Sequence, residues 1–126
     1  MEIVNSRPVV LVVEDELLIR MNAVEMIEGA GFDVVEADDA DQAIAILESR
    51  PDIRVVFTDI QMPGSLDGLK LARLVRDRWP PIMIIATSGH LTGRDVDLPE
   101  GGVFLPKPYT LARITATLRE MIGAAT

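Results

Sequence analysis

Five side chains able to handle a cation or a phosphoryl group stand just past apolar runs in this sequence. Glu14 and Asp15 follow Val9 to Val13, Asp59 closes Val55-Val56-Phe57-Thr58, Ser88 follows Ile82 to Ala86, and Lys107 follows Val103-Phe104-Leu105. Each run reads as a buried strand. If the strands are parallel, their C-terminal ends share one edge, so three carboxylates, a hydroxyl and an ammonium converge there. Such carboxylates repel one another unless a cation sits among them. Hard oxygen donors with no cysteine and one histidine favour magnesium, or manganese, over zinc. A carboxylate beside such an ion, with a lysine and a hydroxyl at hand, suits phosphoryl transfer. Asp59 is then the best nucleophile, because it stands alone at its strand end. Glu14 and Asp15 are adjacent and suited to the metal, and Lys107 suits pairing with Asp59 or with a phosphate upon it.

The elements that must position these groups alternate along the chain. After the first strand, Leu17, Met21, Val24 and Ile27 mark one face of a helix that Gly29 and Gly31 stop. Phe32 to Ala37 reads as the second strand. Asp39 caps a second helix with Gln42 at its third position and Ala40, Ala43, Ile44 and Leu47 facing inward, ended by Pro51. Pro63 and Gly64 forbid any continuation of the Asp59 strand. Asp67-Gly68 opens a third helix with Leu71, Leu74 and Val75 inward, ended by Pro80-Pro81, where Trp79 caps the helix end. Ile82 to Ala86 is the fourth strand, and Thr87-Ser88-Gly89-His90 reads as a turn of small residues. From Leu91 to Gly102 periodicity is poor and Gly93, Pro99, Gly101 and Gly102 intrude, which predicts a short or irregular fourth helix. Prolines around the fifth strand predict an edge position. Thr110 caps the last helix, with Leu111, Ile114, Leu118 and Ile122 on one face. The alternation predicts a parallel α/β sheet covered on both faces and wound by right-handed crossovers.

Composition narrows the classes. At 126 residues the chain predicts a single domain, residues 1–126, with its core at about 9–122. A net charge of −8 without a basic tail argues against nucleic acid and for cations or basic partners. No spanning run, secretory leader or cysteine is present in the sequence, which predicts no membrane partner and a cytoplasmic location.

Taken together, Val13-Glu14-Asp15-Glu16, Thr58-Asp59-Ile60-Gln61-Met62-Pro63-Gly64, Thr87-Ser88-Gly89 and Lys107-Pro108 resemble the receiver domain of two-component response regulators. The resemblance runs from about Val9 to Ile122. It implies a flavodoxin-like, doubly wound five-stranded parallel sheet in the order 2-1-3-4-5, of the stand-alone single-domain type. It implies that Asp59 accepts a phosphoryl group from a histidine kinase or histidine phosphotransfer protein. Glu14, Asp15, Asp59 and the main-chain carbonyl of Gln61 would hold magnesium. Ser88 matches the hydroxyl that moves to the phosphoryl group, Phe104 the aromatic switch, and Lys107 the lysine of the motif, with a cis bond to Pro108. Gln61 and His90 match the flanking positions that tune the rate. Such a receiver catalyses its own phosphorylation and dephosphorylation without being an enzyme acting on others. Its added charge biases two states of the face built by the fourth helix, fifth strand and fifth helix, for an unknown downstream protein. A monomer or weak dimer is expected. The chain departs from the family pattern with Glu14 where Asp is commoner, Ser88 where Thr is commoner, and a shorter segment before Lys107.

Four other readings are available. A flavin module shares the architecture, yet its phosphate needs a Ser/Thr/Gly-rich first loop where this one is acidic. An aspartyl-phosphatase resembles Asp-x-Asp at its nucleophile, where this chain has Gln61. A phosphate-independent docking module would have lost an acid or the lysine. A receiver cut from a hybrid histidine kinase would keep all these residues. No Gly-x-x-x-x-Gly-Lys segment supports a P-loop.

Overall fold

The computed structural model describes residues 7–60, 67–89 and 98–124. Strand β1 (Val9–Val13), helix α1 (Leu17–Gly29), β2 (Asp33–Ala37), α2 (Ala40–Ser49), β3 (Ile53–Asp59), α3 (Gly68–Arg78), β4 (Met83–Ser88), β5 (Val103–Pro106) and α4 (Leu111–Ala124) follow in that order. All strands are parallel, in the order β2-β1-β3-β4-β5. The expected flavodoxin-like architecture is therefore the observed one. Most of the expected fourth helix lies outside the described residues, so α4 is the helix read from the sequence as the fifth.

Why the sheet is covered on both faces follows from the period of a strand. Successive side chains point to opposite sides. Val9, Leu11 and Val13 of β1 join Val56 of β3 and Ile84 of β4 in a cluster with Ala40, Ala43 and Leu47 of α2 and Leu71 and Val75 of α3. Val10 and Val12 join Val55, Phe57 and Ile85 in a second cluster with Ala23 and Ile27 of α1 and Ile114, Leu118 and Ile122 of α4. One apolar run thus feeds two cores. Residue parity also places the chemistry: Glu14 continues the Val10, Val12 series and Asp59 the Val55, Phe57 series, so both fall on the α1 and α4 side.

Local chemistry fixes the helix starts. Asp39 accepts from the Gln42 amide at 2.9 Å, while the Gln42 side chain returns to the Asp38 amide at 2.9 Å. Asp67 accepts from the Lys70 amide and Thr110 from that of Arg113. Trp79 is the C-cap of α3, under the Arg78 guanidinium.

Three sequence expectations are corrected. Leu17 and Met21 satisfy the helical period of α1 yet are exposed, and the buried positions are Ala23 and Ile27. Leu111 is likewise exposed at the start of α4. Thr87 and Ser88 belong to β4, not to a turn: β5 pairs with them through Thr87↔Leu105 and Ser88↔Pro106, and that ladder outweighs the turn preference of small polar residues.

Pro106 is itself part of β5. The next amide, of Lys107, donates to the Ser88 carbonyl at 3.1 Å. Because successive amides along a strand point to opposite sides, the Pro106 nitrogen faces the open edge, where its missing hydrogen costs no ladder bond.

Candidate functional site

Register brings the predicted side chains together. Val13 lies opposite Thr58, and Asp59 opposite Thr87. The Ile60 amide donates to the Thr87 carbonyl at 2.9 Å, extending that ladder one step past β3. The residues after β1, β3 and β5 therefore end at one level of the sheet.

At that level Lys107 Nζ lies 3.1 Å from Asp59 Oδ2 and 3.2 Å from Glu14 Oε1. The carboxylates it joins are nearly enclosed, with side chains 6% exposed for Glu14 and 9% for Asp59. Glu14 also accepts from the Glu16 amide at 3.1 Å. Burial pushes its carboxyl up and the Asp59 charge adds to this, while the Glu16 amide and Lys107 oppose; the outcome is a raised pKa. Burial by itself would lower the Lys107 ammonium, but the charges and hydrogen bonds of Asp59 and Glu14 together hold it above its usual value.

Asp15 is exposed beside them. Ligand oxygens of Glu14, Asp15 and Asp59 all lie within 4.8 Å of one another. Two enclosed carboxylates and one open to solvent form an oxygen-only donor set that could hold a hard cation. The chemistry of the residues present therefore fits a divalent ion.

Ser88 is buried at the end of β4 and its carbonyl receives the Lys107 amide. Phe104 is half-buried in β5, opposite Ala86. The Lys107–Pro108 bond is cis. Gln61 and His90, expected as a carbonyl ligand and rate-tuning positions, lie outside the described residues.

Four contributors were not singled out from the sequence. Gly68 lies so close to β3 that a Cβ there would stand 1.8 Å from the Asp59 carbonyl oxygen, and its amide donates to the Ile60 carbonyl at 2.9 Å. Only a residue without a side chain lets α3 start against the backbone of Asp59. Thr58 Oγ1 donates to the Asp59 carbonyl at 2.9 Å. Tyr109 packs edge-on against Phe57, and burial pushes its phenol up to about 12 against the opposing charge of Lys107. Arg20 donates to the Glu14 carbonyl at 2.9 Å. An Asp-Gly pair opening a helix could have flagged Gly68. A charge inside α1 carries no such signal.

Beside the carboxylates opens a cleft of about 640 Å³ lined by Leu18, Asn22, Lys107, Pro108 and Tyr109 among others. The first two turns of α1 add an unshielded apolar surface, with Leu17 57%, Leu18 80% and Met21 55% exposed.

Comparison with known proteins agrees with this geometry. A family model described as the response regulator receiver domain matches residues 10–119. The chain is 34% identical over 117 residues to the sensor kinase CckA of Brucella abortus, covering 90% of this chain and 12% of that kinase. It spans 25% and 49% of two further relatives, so it matches only a part of such proteins. The response regulator receiver protein CpdR of the same organism is 30% identical over 119 residues, covering 92% of this chain and 98% of that protein. Among solved structures, a response regulator receiver domain protein from Clostridium thermocellum superposes with a TM-score of 0.81 at 26% identity, covering 93% of this chain and 95% of that one.

Proposed function

Because the chain belongs to the response regulator receiver domain family of two-component signalling, we propose that it accepts a phosphoryl group on Asp59 from a phosphohistidine-bearing partner. The observation that carries this reading is the Lys107 ammonium held between Asp59 and Glu14, with Asp15 beside them. An Asp59 carboxylate oxygen forms a bond to phosphorus while the phosphorus–nitrogen bond of the donor imidazole breaks, and the imidazole takes up a proton. Lys107 offsets charge on the transferring oxygens. Glu14, Asp15, Asp59 and the Gln61 carbonyl would hold magnesium, which supplies further charge neutralisation there. Ser88 then turns to the phosphoryl group and Phe104 follows inward, altering the face around β5 and α4. Gln61 and His90 tune the access of water to the acyl phosphate.

A cytoplasmic, single-domain receiver acting by protein contact or as a phosphate sink fits the likeness to the CpdR protein. The likeness to the sensor kinase supports a second reading, a receiver segment of a hybrid histidine kinase. No helix among the described residues is long and apolar enough to cross a membrane.

The test supplies acetyl phosphate to the chain with magnesium or with a chelator and follows intact mass. About one base-labile phosphoryl per chain, dependent on the metal, is expected. Labelling indifferent to the chelator would remove the metal from the account.

The exposed turns of α1 supply the donor's approach, since Leu18 lines the same cleft as Lys107. A helix pair carrying phosphohistidine can lay apolar side chains on Leu17, Leu18 and Met21 while its imidazole faces Asp59. Leu18→Glu should slow transfer from a phosphorylated kinase or phosphotransfer domain roughly tenfold or more. Labelling by acetyl phosphate should not change, because Leu18 is 80% exposed and holds nothing in the core. Equal loss with both donors would place the effect in the site instead of the docking surface.

A further inference from the structure

The acidic loop that carries Glu14 and Asp15 is held from behind by one side chain. Arg20 sits in the first turn of α1, where its amide donates to the Glu16 carbonyl at 2.9 Å. Its side chain is largely covered, 13% exposed. One guanidinium nitrogen donates to the Glu14 carbonyl at 2.9 Å, Nε pairs with Glu36 of β2 at 3.0 Å, and a further pairing reaches Asp38. Asp38 is in turn fixed by Gln42, whose side chain accepts from the Asp38 amide and donates to its carboxylate at 3.3 Å. The Glu14 amide, on the other side of the same residue, donates to the Ala37 carbonyl at 3.2 Å.

Glu14 and Asp15 are consecutive, and one is enclosed while the other is exposed. For both carboxylates to reach one ion, the peptide between them must keep one orientation. The Glu14 carbonyl belongs to that peptide, so the Arg20 bond sets its plane. A planar fork can grip three acceptors at once in this way, which a point charge cannot. Glu36 and Asp38 offset the charge of Arg20, so the guanidinium adds rigidity with little repulsion toward an incoming cation.

We propose that Arg20 is a positioning residue for the cation site: it fixes the Glu14–Asp15 peptide and thereby sets metal affinity. The inference rests on the metal reading given above, and its sign separates it from a charge effect. Removing a positive charge near three carboxylates would, by electrostatics alone, tighten cation binding. Loss of a positioning contact loosens it, by roughly tenfold for a residue that orients ligands from behind.

The experiment titrates magnesium into unphosphorylated protein by calorimetry, with the amide NMR signals of Asp15 and Glu16 as a second readout and urea unfolding as a check on the fold. Arg20→Gln is expected to bind magnesium about tenfold more weakly, with both amides shifted before any metal is added, and to regain its phosphorylation rate at saturating magnesium. Arg20→Lys keeps the charge and loses the fork; it should fall between the two, about threefold weaker, and it replaces the glutamine variant should that fail to fold. Affinity equal to or tighter than wild type in a folded variant overturns the inference while leaving the metal site intact. A wild-type chain that binds no magnesium overturns the metal reading, and the inference with it.

Discussion

Asp59→Asn is expected to abolish phosphoryl incorporation and to leave the protein folded. The amide nitrogen replaces one carboxylate oxygen at nearly the same volume, and the remaining oxygen can still accept from Lys107. Glu14 loses the like charge that contributes to raising its pKa, so the enclosed acids repel less than before. The carboxamide is a far weaker nucleophile, and the reaction requires the oxygen that forms the bond to phosphorus. Intact mass after acetyl phosphate and magnesium should show the single adduct in wild type and none in the variant, with closely similar urea midpoints. An adduct of the same size and alkali sensitivity on Asp59→Asn would move the acceptor elsewhere on the chain.

Lys107→Met carries the second large effect, on two quantities at once. Methionine keeps an unbranched stem but brings no charge. Glu14 and Asp59 would then face each other nearly enclosed without the Lys107 ammonium between them. Breaking a buried ion pair from one side costs about 3 kcal/mol, because the remaining charges keep their desolvation penalty. Magnesium should return part of that stability, since an ion that binds only the folded chain shifts unfolding by mass action. The rate of labelling by acetyl phosphate should fall roughly 100- to 1000-fold at saturating metal, the usual loss when a preorganised donor to developing charge is removed. Urea unfolding with and without magnesium measures the first effect and time-resolved mass the second. Wild-type labelling kinetics in this variant would mean that the ammonium takes no part in the transfer.

The sheet and its acidic edge were legible in the sequence because they rest on short-range rules. Five consecutive apolar residues in β1 could only be covered on both sides, and the acids that follow could only lie at its end. The caps at Asp39, Asp67 and Thr110 were legible for the same reason, since each satisfies an amide three residues on. What failed depended on partners distant in sequence. Periodicity marks a face of α1 without saying which turns reach the sheet, so it points Leu17 and Met21 inward where Ala23 carries the contact. Thr87 and Ser88 read as a turn until β5 supplied the ladder that makes them strand. Arg20 carries no signal of its own in the sequence, because nothing nearby reveals that Glu36 and Asp38 fold back onto it.

The proline in β5 bears on how this chain meets copies of itself. A sheet grows by offering alternate hydrogens and oxygens along an unpaired margin, and the outward nitrogen of Pro106 removes one of the few hydrogens that this four-residue margin could offer. The opposite margin, β2, opens on exposed Asp33, whose charge a matching strand would have to cover. Both flanks thus discourage strand-to-strand stacking, which suits a signalling protein whose encounters must come apart again.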